Sequence, residues 1–73
     1  MASTWLKYQN NENATAIFNL DRATHFRHVA AGGESFIEIY ADGTMHSILK
    51  LTDPDAYQVA MNYIAMTTSY KLD

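Results

Sequence analysis

The residues best suited to chemistry lie close together, in the stretch THFRHVAAGGESF at positions 24–36. This stretch contains His25, Arg27 and His28, followed by two glycines. Histidine transfers protons near neutral pH and binds metals, and arginine binds anionic groups. Two histidines three residues apart share one face of a helix but point to opposite faces of a strand. What they can do together therefore depends on the backbone that carries them.

A strand is the better interpretation of this stretch. Thr24, Phe26 and Val29 suit a pleated sheet, and the glycines at 32 and 33 predict a turn directly afterwards. His25 and His28 then face opposite ways and cannot share a metal ion. We therefore predict no metal site and no cofactor. We expect His28 to face the core as a neutral side chain bonded to a backbone group.

Hydrophobic patterning predicts an α+β fold in a single domain over residues 1–73. We expect an antiparallel sheet of four to five strands, followed by one C-terminal helix packed on one sheet face. The predicted strands cover 4–9, 14–20, 24–30, 34–41 and 44–51, with a short turn at 21–22, and the helix covers 54–69. This architecture is common among small bacterial proteins and by itself indicates no function.

The start of the helix is the best-marked boundary in the chain. Thr52 or Asp53 can serve as the N-cap, and Pro54 suits the first helical turn. Asp55 then lies near the positive end of the helix dipole.

The two predicted hairpins set the pairing between strands. A two-residue turn at Gly32–Gly33 pairs three residues of the third strand with three of the fourth: Arg27 with Glu38, His25 with Tyr40, and Val29 with Phe36. We expect that register for the first hairpin.

The second hairpin allows two registers. A three-residue loop at 41–43 places Glu38 opposite His46 and Phe36 opposite Ile48. A two-residue turn at 42–43 instead shifts the fifth strand by one residue and removes the pair formed by Glu38 and His46. The row of residues described next follows from the three-residue loop, and the two-residue turn stays open as the alternative.

That register collects a candidate ligand row on one sheet face, made of Arg27, Glu38 and His46 with His25 and Tyr40 beside them. The row has two interpretations. Cross-strand pairing would contribute about 0.2–1 kcal/mol for each contact. Alternatively, a histidine oriented by a carboxylate could act as a general base beside an arginine that holds an anion. We favour the structural interpretation, because paired titratable groups are often structural.

The same register predicts how the apolar residues divide between the two faces. An apolar row of Val29, Phe36 and Ile48 lies beside the polar row. The opposite face, on which the helix would pack, carries Phe26, Ala30, Ile37, Ile39, Met45 and Leu49, with His28 and Ser47 as polar members.

Small size and excess apolar surface favour self-association. A chain of 73 residues buries only about 60–65% of its unfolded surface, and this one has no cysteine with which to form disulfides. Apolar residues also occupy well over half of the predicted helix circumference. We therefore predict a homodimer, with Val29, Phe36, Ile48 and Met61 as candidate interface residues.

Charge and hydropathy exclude other classes of function. The net charge is −3 and the five basic residues are scattered, which disfavours binding to nucleic acid. No apolar segment is long enough for a signal peptide or a membrane span, so we expect a cytoplasmic protein without membrane contact.

The sequence favours a small non-enzymatic protein that works through protein association. The alternative is a small-ligand-binding protein or weak enzyme, with the candidate ligand row as a pocket at the subunit interface.

Overall fold

The computed structural model describes residues 4–10, 12–31 and 33–70 and shows an α+β fold. Its strands are β1 (Trp5–Gln9), β2 (Thr15–Asn19), β3 (Ala23–Ala31), β4 (Glu34–Ala41) and β5 (Thr44–Leu49), followed by the helix α1 (Pro54–Thr68). The fold class, the strands and the helix agree with the sequence prediction.

The five strands form two antiparallel sheets rather than the single predicted sheet of four to five strands. β1 pairs with β2, and β4 lies between β3 and β5. A 3-10 turn, Leu20–Arg22, separates β2 from β3, and the Asn19 side chain caps it by accepting a hydrogen bond of 2.9 Å from the Asp21 N–H. This turn interrupts the extended backbone, so the first two strands separate from the other three.

The register predicted for the hairpin of β3 and β4 is confirmed. Arg27 lies opposite Glu38, and the neighbouring pairs on the same face also match: His25 with Tyr40, and Val29 with Phe36. Gly33 has a φ of 80°, which glycine adopts without strain. Gly32 lies outside the described residues.

The register predicted for β4 and β5 is wrong. Asp42 and Gly43 form a two-residue turn, with φ angles of 53° and 78°. Positive φ at both central positions matches the type I′ turn, whose twist suits a tight hairpin. Glu38 therefore lies opposite Ser47, and His46 lies opposite Ile39.

The one-residue shift exchanges the two faces of β5. His46 and Ile48 share the core face with Ile39, whereas Met45, Ser47 and Leu49 lie on the other face. The prediction had each of these five β5 residues on the opposite face. On the remaining strands, the core positions of Phe26, Ile37 and Ile39 are confirmed, and Ala30 is exposed.

The core lies where the three-stranded sheet, the hairpin of β1 and β2, and the helix meet. The sheet contributes Ile37, Ile39 and Ile48, each with 0% of its surface exposed. The hairpin contributes Leu6, Tyr8 and Phe18, and the helix contributes Ala56, Tyr57, Ala60 and Ile64. Full burial of one large aliphatic side chain stabilises the fold by about 1.5–3 kcal/mol.

Two aspartates connect β1 to the helix. Asp53 caps the helix by accepting a hydrogen bond of 3.1 Å from the Ala56 N–H, and its second oxygen accepts one of 3.0 Å from the Gln9 N–H. Asp21 accepts hydrogen bonds from the Thr4 N–H at 2.9 Å and from the Tyr63 hydroxyl at 2.7 Å. Both ends of β1 are thus fastened by side chains that also contact α1.

The helix ends at Thr68, and Ser69 follows with a φ of 67°. Val59 and Met66 are exposed on the helix, so its apolar surface extends beyond the part that packs on the core. Within the described ranges, no helix combines the length and the apolarity needed to cross a bilayer.

Replacing Asp53 tests the connection between the helix cap and β1. The Asp53→Ala variant removes the acceptor from two backbone N–H groups, so we expect a loss of about 2 kcal/mol in the free energy of unfolding. Urea denaturation measures this loss. The control is Asp55→Ala, which changes a first-turn carboxylate and should cost about 0.3–1 kcal/mol. Equal losses for the two variants would contradict the double role of Asp53.

Candidate functional site

The three-stranded sheet turns one face away from the core. This outer face consists of three cross-strand rows, which follow from the register and from the alternation of side chains: His25, Tyr40 and Met45; Arg27, Glu38 and Ser47; Val29, Phe36 and Leu49. All nine residues lie in the described part of the chain, and none belongs to the core cluster or packs against it there. The outer face is thus a separate surface.

The middle row of the outer face carries its charges. Arg27 Nη1 lies 3.4 Å from Glu38 Oε1. The Glu38 side chain is only 18% exposed, whereas that of Arg27 is 65% exposed. The sheet therefore holds the carboxylate close to its surface and leaves much of the guanidinium open to a partner.

Apolar side chains lie on both sides of this charged row. Val29, Phe36 and Leu49 are half-buried in one outer row. In the other, Tyr40 and Met45 are exposed, and the His25 ring meets the Tyr40 ring edge-on at a centroid distance of 6.3 Å. The outer face thus alternates apolar, charged and apolar rows.

His46 lies on the core side of the sheet and not in the candidate ligand row. Its ring stacks on Phe18, with centroids 4.0 Å apart and planes 7° from parallel. Its Nδ1 shares a hydrogen bond of 2.9 Å with the Tyr8 hydroxyl. Burial lowers the pKa of His46 and raises the pKa of Tyr8. The predicted pairing of Glu38 with His46 is therefore wrong. The two side chains lie on opposite faces of the sheet, so Glu38 does not orient His46 as a general base.

His28 faces the core, as predicted, but its partner is a side chain. Its Nε2 shares a hydrogen bond of 2.8 Å with the Tyr57 hydroxyl of the helix. The Tyr57 hydroxyl thus satisfies the His28 ring beside the core. The prediction of a backbone partner for His28 is wrong. His28 therefore has a structural role in joining sheet and helix.

The candidate interface residues do not form one surface. Val29 and Phe36 lie on the outer face, but Ile48 is fully buried in the core of its own chain. Leu49 takes the place expected for Ile48 opposite Phe36. Met61 packs partly buried against the core from the helix. Ile48 is thus unavailable to a partner, and Met61 lies apart from the outer face.

A second surface feature is a cleft of about 440 Å³ between the hairpin of β1 and β2 and the turn that joins β4 to β5. Its walls include Trp5, Ile17, Phe18 and His46. At its rim Arg22 Nε lies 3.0 Å from Asp42 Oδ1, in an exposed ion pair. We call this feature the hairpin cleft.

Sequence reasoning missed the hairpin cleft because its walls come from segments far apart in the chain. One signal was present, since alternation places Trp5 on the same side of β1 as Lys7 and Gln9, away from Leu6 and Tyr8. Its place on the polar face of β1 predicts an exposed position for Trp5 rather than a core position.

Within residues 4–10, 12–31 and 33–70, no three histidine, aspartate or glutamate side chains form a group able to hold a metal ion. Comparisons of the chain with protein-family models, with curated proteins and with solved structures give no match. Function must therefore be argued from the two surface features.

The burial of His46 predicts a dependence of stability on pH. Because its pKa in the folded state lies below the ordinary value of 6.5, the unfolded chain binds the proton more readily. The free energy of unfolding should therefore fall as the pH drops through 6.5 and below. We expect an NMR titration of the His46 ring to give a midpoint below 6.5.

Urea denaturation near pH 7.5 and near pH 5.5 provides the second measurement. The His46→Gln variant should lose less stability between these two pH values than the wild-type chain. An NMR midpoint at or above 6.5 would show that His46 is not held in its neutral form.

Proposed function

We propose that this protein works by binding a second copy of itself through the outer face, without catalysing a reaction. The observation that supports this most directly is the composition of that face. An apolar row (Val29, Phe36, Leu49) and a mixed row (His25, Tyr40, Met45) flank an arginine and a glutamate, and the chain's own core covers neither row. Apolar surface of this kind is stabilised by contact with another protein.

A dimer of standard size would cover a substantial part of this small chain. A standard interface buries about 800 Å² on each partner. That area is about a sixth of the 4988 Å² that the chain exposes. Val29, Phe36 and Tyr40 supply apolar surface near the middle of the face, and Met45 and Leu49 extend it along β5.

The charges of the middle row allow two identical faces to fit. A twofold axis parallel to the strands, between β3 and β4, places Arg27 of one copy over Glu38 of the other. The same axis places the β3 and β4 residues of each flanking row over the same row of the other copy, whereas Met45 and Leu49 of β5 lie beyond its β3 edge. Identical surfaces thus become complementary in both charge and hydrophobicity.

The outer face carries little that would support catalysis. Because His46 lies on the core side, His25 is the histidine of this face. The cross-strand neighbour of His25 is the Tyr40 ring rather than a carboxylate. General base catalysis by histidine commonly uses a second group that orients the ring. This geometry favours association over the alternative of a ligand pocket or weak enzyme on the same face.

Two tyrosine variants test the position of the interface. Tyr40 is 42% exposed in the outer face, and Tyr70 is 75% exposed after the helix. Tyr40→Lys introduces a charge that the proposed dimer would bury, so we expect dimer dissociation to become at least about tenfold easier. Tyr70→Lys is the matched control and should leave the dimer unchanged.

Sedimentation velocity from about 1 to about 200 µM gives the dissociation constants. A wild-type chain that stays monomeric over this range would refute the proposed function. Equal effects of the two lysine variants would place the interface elsewhere.

A mixing experiment tests the charge pairing between copies. Arg27→Glu leaves two negative residues in the middle row, and Glu38→Arg leaves two positive ones, so each variant alone should be monomeric. An equimolar mixture should form a heterodimer, because each copy then faces the opposite charge. Sedimentation of the mixture as monomers would contradict the proposed arrangement, provided that circular dichroism shows both variants folded.

A further inference from the structure

The hairpin cleft has an apolar wall that is open to solvent. Trp5 is 63% exposed and Ile17 is 61% exposed. Trp5 lies opposite Asn19 and Ile17 lies opposite Lys7, so the two apolar side chains are diagonal neighbours on one face of the hairpin. They form a small apolar surface that a ligand of matching size can cover.

The rim of the cleft carries two opposite charges. The Arg22 Nε donates to Asp42 Oδ1 at 3.0 Å, and both side chains are well exposed. A guanidinium has five N–H donors and a carboxylate accepts more than one hydrogen bond, so each group retains capacity for a further partner. The rim therefore presents a positive and a negative group side by side, with no net charge.

The inner part of the cleft is aromatic and weakly polar. Phe18 and His46 lie there in their stacked pair, and Thr44 adds a hydroxyl. Burial lowers the pKa of His46, which favours the neutral form of this ring. Among the residues that line the cleft, formal charge is thus limited to the rim; Lys7, opposite Ile17 on the same hairpin face, lies outside this lining.

We propose that the hairpin cleft binds a free α-amino acid with an apolar side chain. The α-carboxylate lies against Arg22, the α-ammonium lies against Asp42, and the side chain covers Trp5 and Ile17. The zwitterion aligns antiparallel to the existing ion pair, so it brings opposite charges together without breaking that pair.

Charge favours this ligand over its simpler relatives. An apolar carboxylate would place its charge beside Asp42, and an apolar amine would place its charge beside Arg22. Either would gain one near attraction and suffer one more distant repulsion. The amino acid gains two near attractions against two more distant repulsions, so its net attraction is larger. The volume of about 440 Å³ lies within the usual range for small-ligand sites.

The single tryptophan provides a direct measurement, because Trp5 lies in the cleft wall and the sequence contains no other. We would follow Trp5 fluorescence while adding L-leucine, which does not fluoresce. N-acetyl-leucine and leucinamide, each lacking one charge, serve as matched ligands. L-leucine should give a saturable change, and each blocked analogue should bind at least about tenfold more weakly.

Variants of the ion pair connect binding to the rim. Asp42→Asn keeps a residue type that tolerates the φ of 53°, and Arg22→Gln keeps a polar side chain. Each should weaken L-leucine binding at least about tenfold. Two control variants, Lys50→Gln and Glu34→Gln, remove one positive and one negative charge from residues that do not line the cleft. Both should leave L-leucine binding unchanged.

Three results would overturn the proposal. The first is an absence of saturation by L-leucine up to about 20 mM. The second is equal binding of L-leucine and either blocked analogue, and the third is unchanged binding in both rim variants. None of these results depends on dimerisation, because the cleft lining includes no residue of the outer face.

Discussion

The two-residue turn at Asp42 and Gly43 is the constraint on which the rest of the structure depends. Both residues have positive φ angles, and the tight hairpin that results fixes the position of β5 along β4. Because neighbouring residues of a strand face opposite ways, this turn decides which half of β5 enters the core. It places Ile48 and His46 inside and leaves Met45 and Leu49 outside.

The inward position of His46 explains how two separate sheets share one core. Its ring stacks on Phe18 of β2 and bonds to Tyr8 of β1, so side chains join the hairpin to β5. Asp21 and Asp53 hold the two ends of β1 against the helix in a similar way. Among the described residues no backbone ladder runs between the two sheets, and a few specific side-chain contacts join them and the helix instead.

Local patterns in the sequence were sufficient to predict the elements of this fold. The N-cap at Asp53, the proline that follows it and the alternation along β4 each depend on neighbouring residues, so the sequence predicts these boundaries directly. The division into two sheets could not, because it follows from packing between residues distant in the chain. The hairpin cleft was missed for the same reason.

The error in the second hairpin had a different origin. An aspartate followed by glycine is a strong signal for a two-residue turn, and the structure has that turn rather than the three-residue loop. The one-residue difference moved His46 out of the candidate ligand row and moved Ile48 out of the candidate interface. Arg27, Glu38 and Phe36 kept their predicted face, because the first hairpin was assigned correctly.

Nuclear Overhauser contacts between β4 and β5 test this account most directly, since the outer face and the cleft both follow from the register of these strands. The account predicts backbone contacts between Glu38 and Ser47 and between Phe36 and Leu49. Hα–Hα or HN–HN contacts of Glu38 with His46 and of Phe36 with Ile48, in place of those two pairs, would contradict it. They would place His46 on the outer face and remove Ile48 from the core.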